Sequence, residues 1–161
     1  MPAISRRQRL FALPVLLVLT LVATLFVAGP AEASLRRERK IANAVEVALK
    51  QLGDPYVYGA AGPNAFDCSG LTMYSFAKVG ISLQRSADAQ YRAVRHISKQ
   101  QLRRGDLVYF HDSSGRIYHA GIFLRWKDGQ RIILHAPNSG SVVRRDPIWT
   151  GSWYAGTKRA R

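Results

Sequence analysis

Cys68 is the only cysteine of the 161-residue chain, and its surroundings favour nucleophilic chemistry. It follows a turn-rich segment, residues 59–65, and precedes an apolar segment, residues 71–79, in which the hydrophobic residues have helical spacing. Asp67 is a good N-cap residue, so the pattern predicts that Cys68 lies in the first turn of a helix. A helix N-terminus favours negative charge, and the thiolate is the nucleophilic form of cysteine. We therefore interpret Cys68 as a catalytic nucleophile, with a buried and inert cysteine as the alternative.

A cysteine nucleophile needs a base, and the base usually needs a third group that orients it. The chain has four histidines: His96, His111, His119 and His135. The last two lie on a predicted β-hairpin, whereas the first two are expected at the surface. A three-residue turn, residues 127–129, would place His135 opposite Gly121 and both hairpin rings on one face. A two-residue Asp-Gly turn would instead place the rings on opposite faces.

Cys68 and the two hairpin histidines could in principle bind zinc. The two histidines lack the short ligand spacing of such sites, so we predict no metal and no cofactor.

Helical periodicity precedes strand periodicity along the chain. The predicted helices span residues 35–53, 68–80 and 87–94, the last with Ser86 as its N-cap. The predicted strands span residues 107–110, 118–125, 131–136, 141–145 and 152–157. This order predicts an α+β domain in which N-terminal helices pack on a meandering antiparallel β-sheet.

The first 33 residues have the pattern of an export signal. A basic start precedes the apolar run from Leu10 to Ala28, and Ala31-Glu32-Ala33 offers a small-x-small cleavage site before Ser34. The apolar run approaches the length of a membrane span, so a retained N-terminal anchor is the alternative. We expect export to the periplasm or cell envelope, with residues 34–161 forming a single domain.

The chain is strongly basic, with a formal net charge of +14. For an exported protein this charge suits an anionic cell-wall or membrane surface. The basic residues are dispersed and are not interleaved with aromatic residues, so we predict no nucleic-acid partner. The domain is expected to be monomeric.

Taken together, these residues resemble the NlpC-type cell-wall cysteine peptidases of the papain-like superfamily. The similarity extends over roughly residues 41 to 158. It is carried by an ordered set of sequence blocks, which is specific only as a set. The blocks are Pro55-Tyr56-Val57-Tyr58-Gly59, Gly62-Pro63, Phe66-Asp67-Cys68-Ser69-Gly70-Leu71, Leu83-Gln84-Arg85-Ser86 with Gln90, Gly105-Asp106-Leu107-Val108-Tyr109-Phe110, His119-Ala120-Gly121-Ile122-Phe123 and His135-Ala136-Pro137.

The resemblance implies roles for eight residues. The catalytic positions would be Cys68 as nucleophile, His119 as general base, His135 as the orienting residue and Tyr56 as a partner of the Cys68 backbone N–H in holding the oxyanion. The substrate-side positions would be Asp67 and Ser69, with Arg85 and Ser86 closer to structural support. The implied reaction is hydrolysis of peptidoglycan stem peptides through an acyl-enzyme, commonly between γ-D-glutamate and a diamino acid.

Three positions depart from the family pattern: Tyr58, Ala60 and Gln84. They concern loop shape and the cleft wall, and hence substrate preference. Two other functions remain open at this point. One is an amidase or transpeptidase that uses the same residues, and the other is a catalytically silent domain that binds peptidoglycan.

Overall fold

A computed structural model describes residues 29–159. The chain divides into two units between Ala33 and Ser34, and the larger unit extends to Arg161. Most of the predicted export signal, residues 1–28, lies outside the described residues. Within residues 29–159, no helix is both long enough and apolar enough to cross a membrane.

Three α-helices form within residues 29–159, each close to a segment with predicted helical periodicity. They are α1 (Pro30–Leu49), α2 (Cys68–Ala77) and α3 (Ala87–Ala93). In α1, Ile41, Ala44, Val45 and Ala48 are buried, as their three- and four-residue spacing predicts. The helices α2 and α3 begin where their N-cap residues were predicted, and both end slightly earlier than the apolar pattern suggested.

Six antiparallel strands of the described part of the chain form one sheet. They are β1 (Arg95–Ile97), β2 (Leu107–His111), β3 (Ile117–Lys127), β4 (Gln130–His135), β5 (Arg144–Pro147) and β6 (Trp153–Thr157), in the spatial order β1-β6-β2-β3-β4-β5. Strands β2 to β5 form the predicted meander. β6 does not extend it but returns to pair with β2 and β1. β1 was not predicted, because its Arg-His-Ile sequence carries no apolar alternation.

The sheet contributes to two hydrophobic clusters. The larger cluster joins the helices to the sheet through residues such as Ile41, Phe66, Leu71, Leu107 and Ile122. The smaller cluster, around Phe110, Phe123, Ile133 and Trp153, packs separately. The α+β class, with helices packed on an antiparallel sheet, is therefore confirmed.

The turn between β3 and β4 differs from the prediction. It has two residues, Asp128 and Gly129, both with positive φ (50° and 74°), and it joins the pair Lys127↔Gln130. Such Asp-Gly turns match the twist of a hairpin. The prediction of a three-residue turn was therefore wrong.

A β-bulge compensates for this shorter turn. The register shifts between Phe123 and Arg125, so that beyond the bulge Ile122 pairs with Leu134. A Cβ built on Gly121 would lie 3.5 Å from the Cβ of His135, which agrees with the predicted proximity of these two residues. His119 and His135 consequently lie on one face, as predicted, although the bulge rather than the turn places them there.

Candidate active site

The loop before α2 fixes the position of Cys68. Asp67 caps the helix, and its Oδ1 accepts a hydrogen bond of 2.6 Å from the Gly70 N–H. Its Oδ2 accepts another of 3.0 Å from the Gly59 N–H, which ties the preceding turn to the same carboxylate. A Cβ on Gly70 would lie 2.1 Å from the carbonyl oxygen of Ala60, so only glycine lets the loop pack this closely on the helix.

Arg85 binds the capping carboxylate from the other side. Its two terminal nitrogens contact the two oxygens of Asp67 at 3.1 and 2.5 Å, and one of them also donates to Ser69 Oγ at 3.1 Å. Burial raises the pKa of Asp67, but hydrogen bonds from Arg85, Gly70 and Gly59 outweigh it and lower the pKa overall. Asp67 is therefore an ionised carboxylate in a bidentate ion pair.

The two histidines of the hairpin form a hydrogen-bonded chain with an aspartate. His119 Nε2 lies 2.8 Å from His135 Nδ1, and His135 Nε2 lies 2.9 Å from Asp146 Oδ2. Arg144 Nε donates to the same Oδ2 at 2.7 Å. His119 and His135 are 6 % and 2 % exposed, so water competes little for these contacts.

The protonation state of this chain follows from the aspartate. Burial raises the pKa of Asp146, but hydrogen bonds from His135 and Arg144 outweigh it and lower the pKa overall. An ionised Asp146 can only accept, so His135 Nε2 carries a proton and His135 Nδ1 must accept. His119 Nε2–H then donates to that nitrogen. The remaining ring nitrogen, His119 Nδ1, keeps a free lone pair and can act as a base.

Cys68 lies next to the strand that carries this base. The backbone of Ala120, the residue that follows His119 in β3, is close enough to the sulfur to act on the pKa of the Cys68 thiol and lower it. Burial nevertheless raises the pKa of the Cys68 thiol, and the nearby charge of Asp67 adds to this effect. Burial, followed by the proximity of His135, lowers the pKa of His119 to about 3.

The resting site therefore contains a neutral thiol and a neutral imidazole. The helix N-terminus was expected to favour the thiolate, but partial burial raises the pKa of the Cys68 thiol overall and favours the neutral form.

Two adjoining cavities open at Cys68 and share Tyr56, Cys68 and Tyr118. The first, the helix-side cavity, has a volume of about 430 Å³, and its lining includes Asp67, Ser69, Arg85 and Ser86. The second, the histidine-side cavity, has a volume of about 370 Å³, and its lining includes His119, His135, Asn138, Arg144, Asp146 and Trp149. All eight residues singled out in the sequence thus line one cleft.

Tyr56 lies where the two cavities meet. Burial raises its pKa, and the proximity of Cys68 and Asp67 raises it further. Its hydroxyl therefore stays protonated and can donate a hydrogen bond beside the thiol. Ser86 has a local structural contact as well, because its Oγ accepts the Ala89 N–H and caps α3.

The NlpC/P60 family profile matches residues 53–161. The chain belongs to the NlpC/P60 family. The resemblance drawn from the ordered sequence blocks is thereby confirmed, and the geometry above describes an NlpC/P60 domain.

Three curated relatives illustrate the match. The probable endopeptidase p60 of Listeria grayi is 49% identical over 106 residues, covering 66% of this chain and 19% of that protein. The protein of the same name from Listeria monocytogenes is 44% identical over 106 residues, covering 66% and 20%. The peptidoglycan endopeptidase RipA of Mycolicibacterium smegmatis is 37% identical over 115 residues, covering 63% and 22%. The match therefore spans about a fifth of the length of these relatives.

Two solved structures from Mycobacterium tuberculosis share the fold. The peptidoglycan hydrolase RipB is 25% identical with a TM-score of 0.69, covering 90% of this chain and 79% of that one. RipD is 25% identical with a TM-score of 0.62, covering 74% and 97%, and is described as a non-catalytic NlpC/p60 domain protein adapted to peptidoglycan binding.

Sequence reasoning missed the part of the cleft of this NlpC/P60 domain that surrounds the two histidines. Asp146 and Arg144 lie on β5, which was predicted to end at residue 145, and Trp149 follows it. The rings of Trp149 and Phe110 stack at 4.1 Å, and Trp149 also lies 5.7 and 5.3 Å from the rings of His119 and His135. Only the pairing of β5 with β4, which brings Arg144 opposite His135, reveals these neighbours.

The described residues contain no group of three or more His, Cys, Asp or Glu side chains that could hold a metal ion.

Proposed function

We propose that this chain is a peptidoglycan endopeptidase that hydrolyses a stem-peptide amide through a cysteine nucleophile. The observation that carries the proposal is the hydrogen-bonded series Asp146, His135 and His119. It leaves one lone pair, on His119 Nδ1, in a cleft that also contains the only thiol of the chain. A free base beside a neutral thiol is the arrangement that general-base activation of a nucleophile requires.

The reaction begins with proton transfer. His119 Nδ1 takes the Cys68 proton as the sulfur forms a bond to the amide carbon of the substrate. The electron pair of the carbonyl moves to oxygen, and the oxyanion accepts hydrogen bonds from the Cys68 backbone N–H and the Tyr56 hydroxyl. His135 and Asp146 stabilise the imidazolium formed on His119.

Collapse of this intermediate breaks the carbon–nitrogen bond. His119 returns the proton to the leaving amine, and a thioester remains on Cys68. A water molecule then loses its proton to His119 while its oxygen attacks the thioester carbon. The acid product leaves, and the proton on His119 returns to the Cys68 sulfur.

The position of the base gives the cleft a direction. His119 must protonate the leaving amine, so the amine side of the substrate lies in the histidine-side cavity. The acyl side then lies in the helix-side cavity, beside Asp67, Ser69, Arg85 and Ser86. For cleavage between γ-D-glutamate and a diamino acid, the bond that we propose, the diamino acid would occupy the histidine-side cavity.

The proposed substrate agrees with two further observations. The relative p60 is named a probable endopeptidase, and RipA is named a peptidoglycan endopeptidase. The apolar N-terminal run and the charge of +14 suit a protein exported to an anionic cell wall, and we propose that location. RipD, which shares this fold, makes a silent peptidoglycan-binding domain the second candidate.

Digestion of purified peptidoglycan by the full chain tests the proposal, with Cys68→Ala as the matched control and products read by mass spectrometry. We expect new amines at a stem-peptide bond with the wild type alone. Release of whole stem peptides from the sugar would indicate an amidase. Binding to peptidoglycan without any cleavage would support the silent domain and contradict the proposal.

A second comparison tests the roles of the two histidines. His119→Ala should lower kcat more than His135→Ala, because removing the base costs more than removing the group that orients it. An equal or reversed order would contradict the assignment.

A further inference from the structure

We propose that Arg144 binds a carboxylate on the leaving diamino acid, so that the domain prefers stem peptides whose diamino acid has a free side-chain carboxylate. This inference rests on the proposed function, because it assumes that the diamino acid occupies the histidine-side cavity. Arg144 would then be a specificity-determining residue on the amine side of the cleaved bond.

The first support is the location of Arg144. It lies directly opposite His135 in the pairing of β4 with β5, and its side chain lines the histidine-side cavity. Any group held beside His135 in this cavity therefore comes within the reach of a long arginine side chain.

The second support is the unused hydrogen-bonding capacity of the Arg144 guanidinium. Only Nε is engaged, by Asp146 at 2.7 Å, and the two terminal nitrogens make no hydrogen bond to any of residues 29–159. The side chain is 52 % exposed. A guanidinium whose outer nitrogens are unpaired matches the two oxygens of a carboxylate.

The third support concerns Asp146, the only carboxylate among the described residues that line this cavity. Asp146 uses the same oxygen, Oδ2, to accept from Arg144 and from His135. The charge of Asp146 is thus shared between His135 and the Arg144 Nε–H, and the two terminal nitrogens of Arg144 stay available to a ligand in the cavity.

The remaining lining suits an aliphatic chain that ends in such a charge. Trp149 forms an aromatic wall that is 52 % exposed, and Asn138 adds an amide beside it. A diamino acid with a side-chain carboxylate combines a short apolar chain with a terminal anion. A lysine side chain would bring only a cation toward Arg144.

The test compares two synthetic substrates that differ in one charge. Both are the tetrapeptide L-Ala-γ-D-Glu-diaminopimelyl-D-Ala, with the side-chain carboxylate of the diamino acid either free or amidated. The measured quantity is the ratio of kcat/KM for the free acid to kcat/KM for the amide. Any general effect of Arg144 on Asp146 changes both values alike and cancels in this ratio.

The variants are Arg144→Gln, Arg144→Lys and the control Arg145→Gln. Arg145 is also an exposed arginine of β5, but strand alternation places its side chain on the opposite face. The wild type should favour the free acid by roughly tenfold to hundredfold, the range of a charged hydrogen bond. The ratio should fall to about 1 in Arg144→Gln, stay intermediate in Arg144→Lys and remain unchanged in Arg145→Gln.

Two results would overturn the inference. A wild-type ratio near 1 would show that the carboxylate is not recognised, and an unchanged ratio in Arg144→Gln would assign recognition to another group. If wild-type protein cleaves neither peptide, or cleaves another bond by mass spectrometry, the proposed function fails first and the inference fails with it.

Discussion

Replacing Asp146 by asparagine should slow the proposed reaction while leaving the domain folded. The side chain keeps its size but can now donate a hydrogen bond to His135 Nε2. The proton of His135 would then move to Nδ1, and the hydrogen bond to His119 would reverse. His119 would carry its proton on Nδ1, the nitrogen that must accept the proton of Cys68.

The size of the effect follows from the contact that is lost. A hydrogen bond to a charged group contributes about 1.5–3 kcal/mol. The side chain of Asp146 is 28 % exposed, so water can replace part of the lost hydrogen bond and the lower end of this energy range applies. A loss of about 1.5–2 kcal/mol corresponds to a roughly 10- to 30-fold decrease in kcat. KM should change less, because Asp146 acts on the reacting groups through His135 and His119.

The assay measures kcat and KM on a synthetic stem peptide by release of the new amine. Asp146→Glu keeps the charge and should retain more activity than Asp146→Asn. The control is Asp128→Asn, in the β3–β4 turn, because asparagine tolerates the positive φ of 50° found there. If Asp146→Asn keeps kcat within about twofold of wild type, or if Asp128→Asn loses as much, the reasoning about Asp146 is refuted.

Three further predictions follow from the same geometry. The rate of Cys68 alkylation by iodoacetamide in the free enzyme should be low at about pH 7 and should rise only in alkaline solution, because burial raises the pKa of the thiol. A pH–rate curve with an acidic midpoint would contradict this prediction. The free energy of unfolding should decrease as pH falls from 6.5 toward about 3, because His119 binds a proton more readily in the unfolded state than in the folded state. In urea titrations, His119→Gln should weaken this pH dependence, and identical pH profiles for the two proteins would refute the prediction. Gly70→Ala should destabilise the domain by about 1–3 kcal/mol, because the new Cβ would lie 2.1 Å from the Ala60 carbonyl oxygen. The control Gly151→Ala should be nearly neutral, because a Cβ there has nothing within 4 Å, and equal urea midpoints for the two variants would contradict the prediction.

The N-terminus of α2 was predictable because its signals are local. A capping aspartate, a glycine-rich turn and an apolar helical period occur within about twenty residues, and they placed Cys68 at the start of a helix before any tertiary contact was known. The protonation state of the same residue was not predictable. It depends on how deeply the sulfur is buried, and burial is a property of the assembled cleft.

Asp146 shows the limit of reasoning from sequence at this site. Its contact with His135 depends on the register between β4 and β5, which are connected by an irregular segment, residues 136–143. Turn chemistry fixes the register of a tight hairpin, but it does not fix the register across a longer connection. Residues 108–157 contain several aspartates, and the sequence alone does not indicate which of them contacts His135.

The bulge in β3 explains how the two histidines meet despite a turn that would separate them. The Asp-Gly pair prefers a two-residue turn, and continuing that register along the hairpin would send His119 and His135 to opposite faces. The core imposes the other register, because it pairs Ile122 with Leu134 in one hydrophobic cluster and Phe123 with Ile133 in the other. One extra residue in β3 makes both registers possible. The turn keeps its pairing on one side of the bulge, and the core keeps its pairing on the other side. The alignment of the His119 and His135 rings is thus a consequence of hairpin packing, and the hydrogen bond between the two rings follows from it.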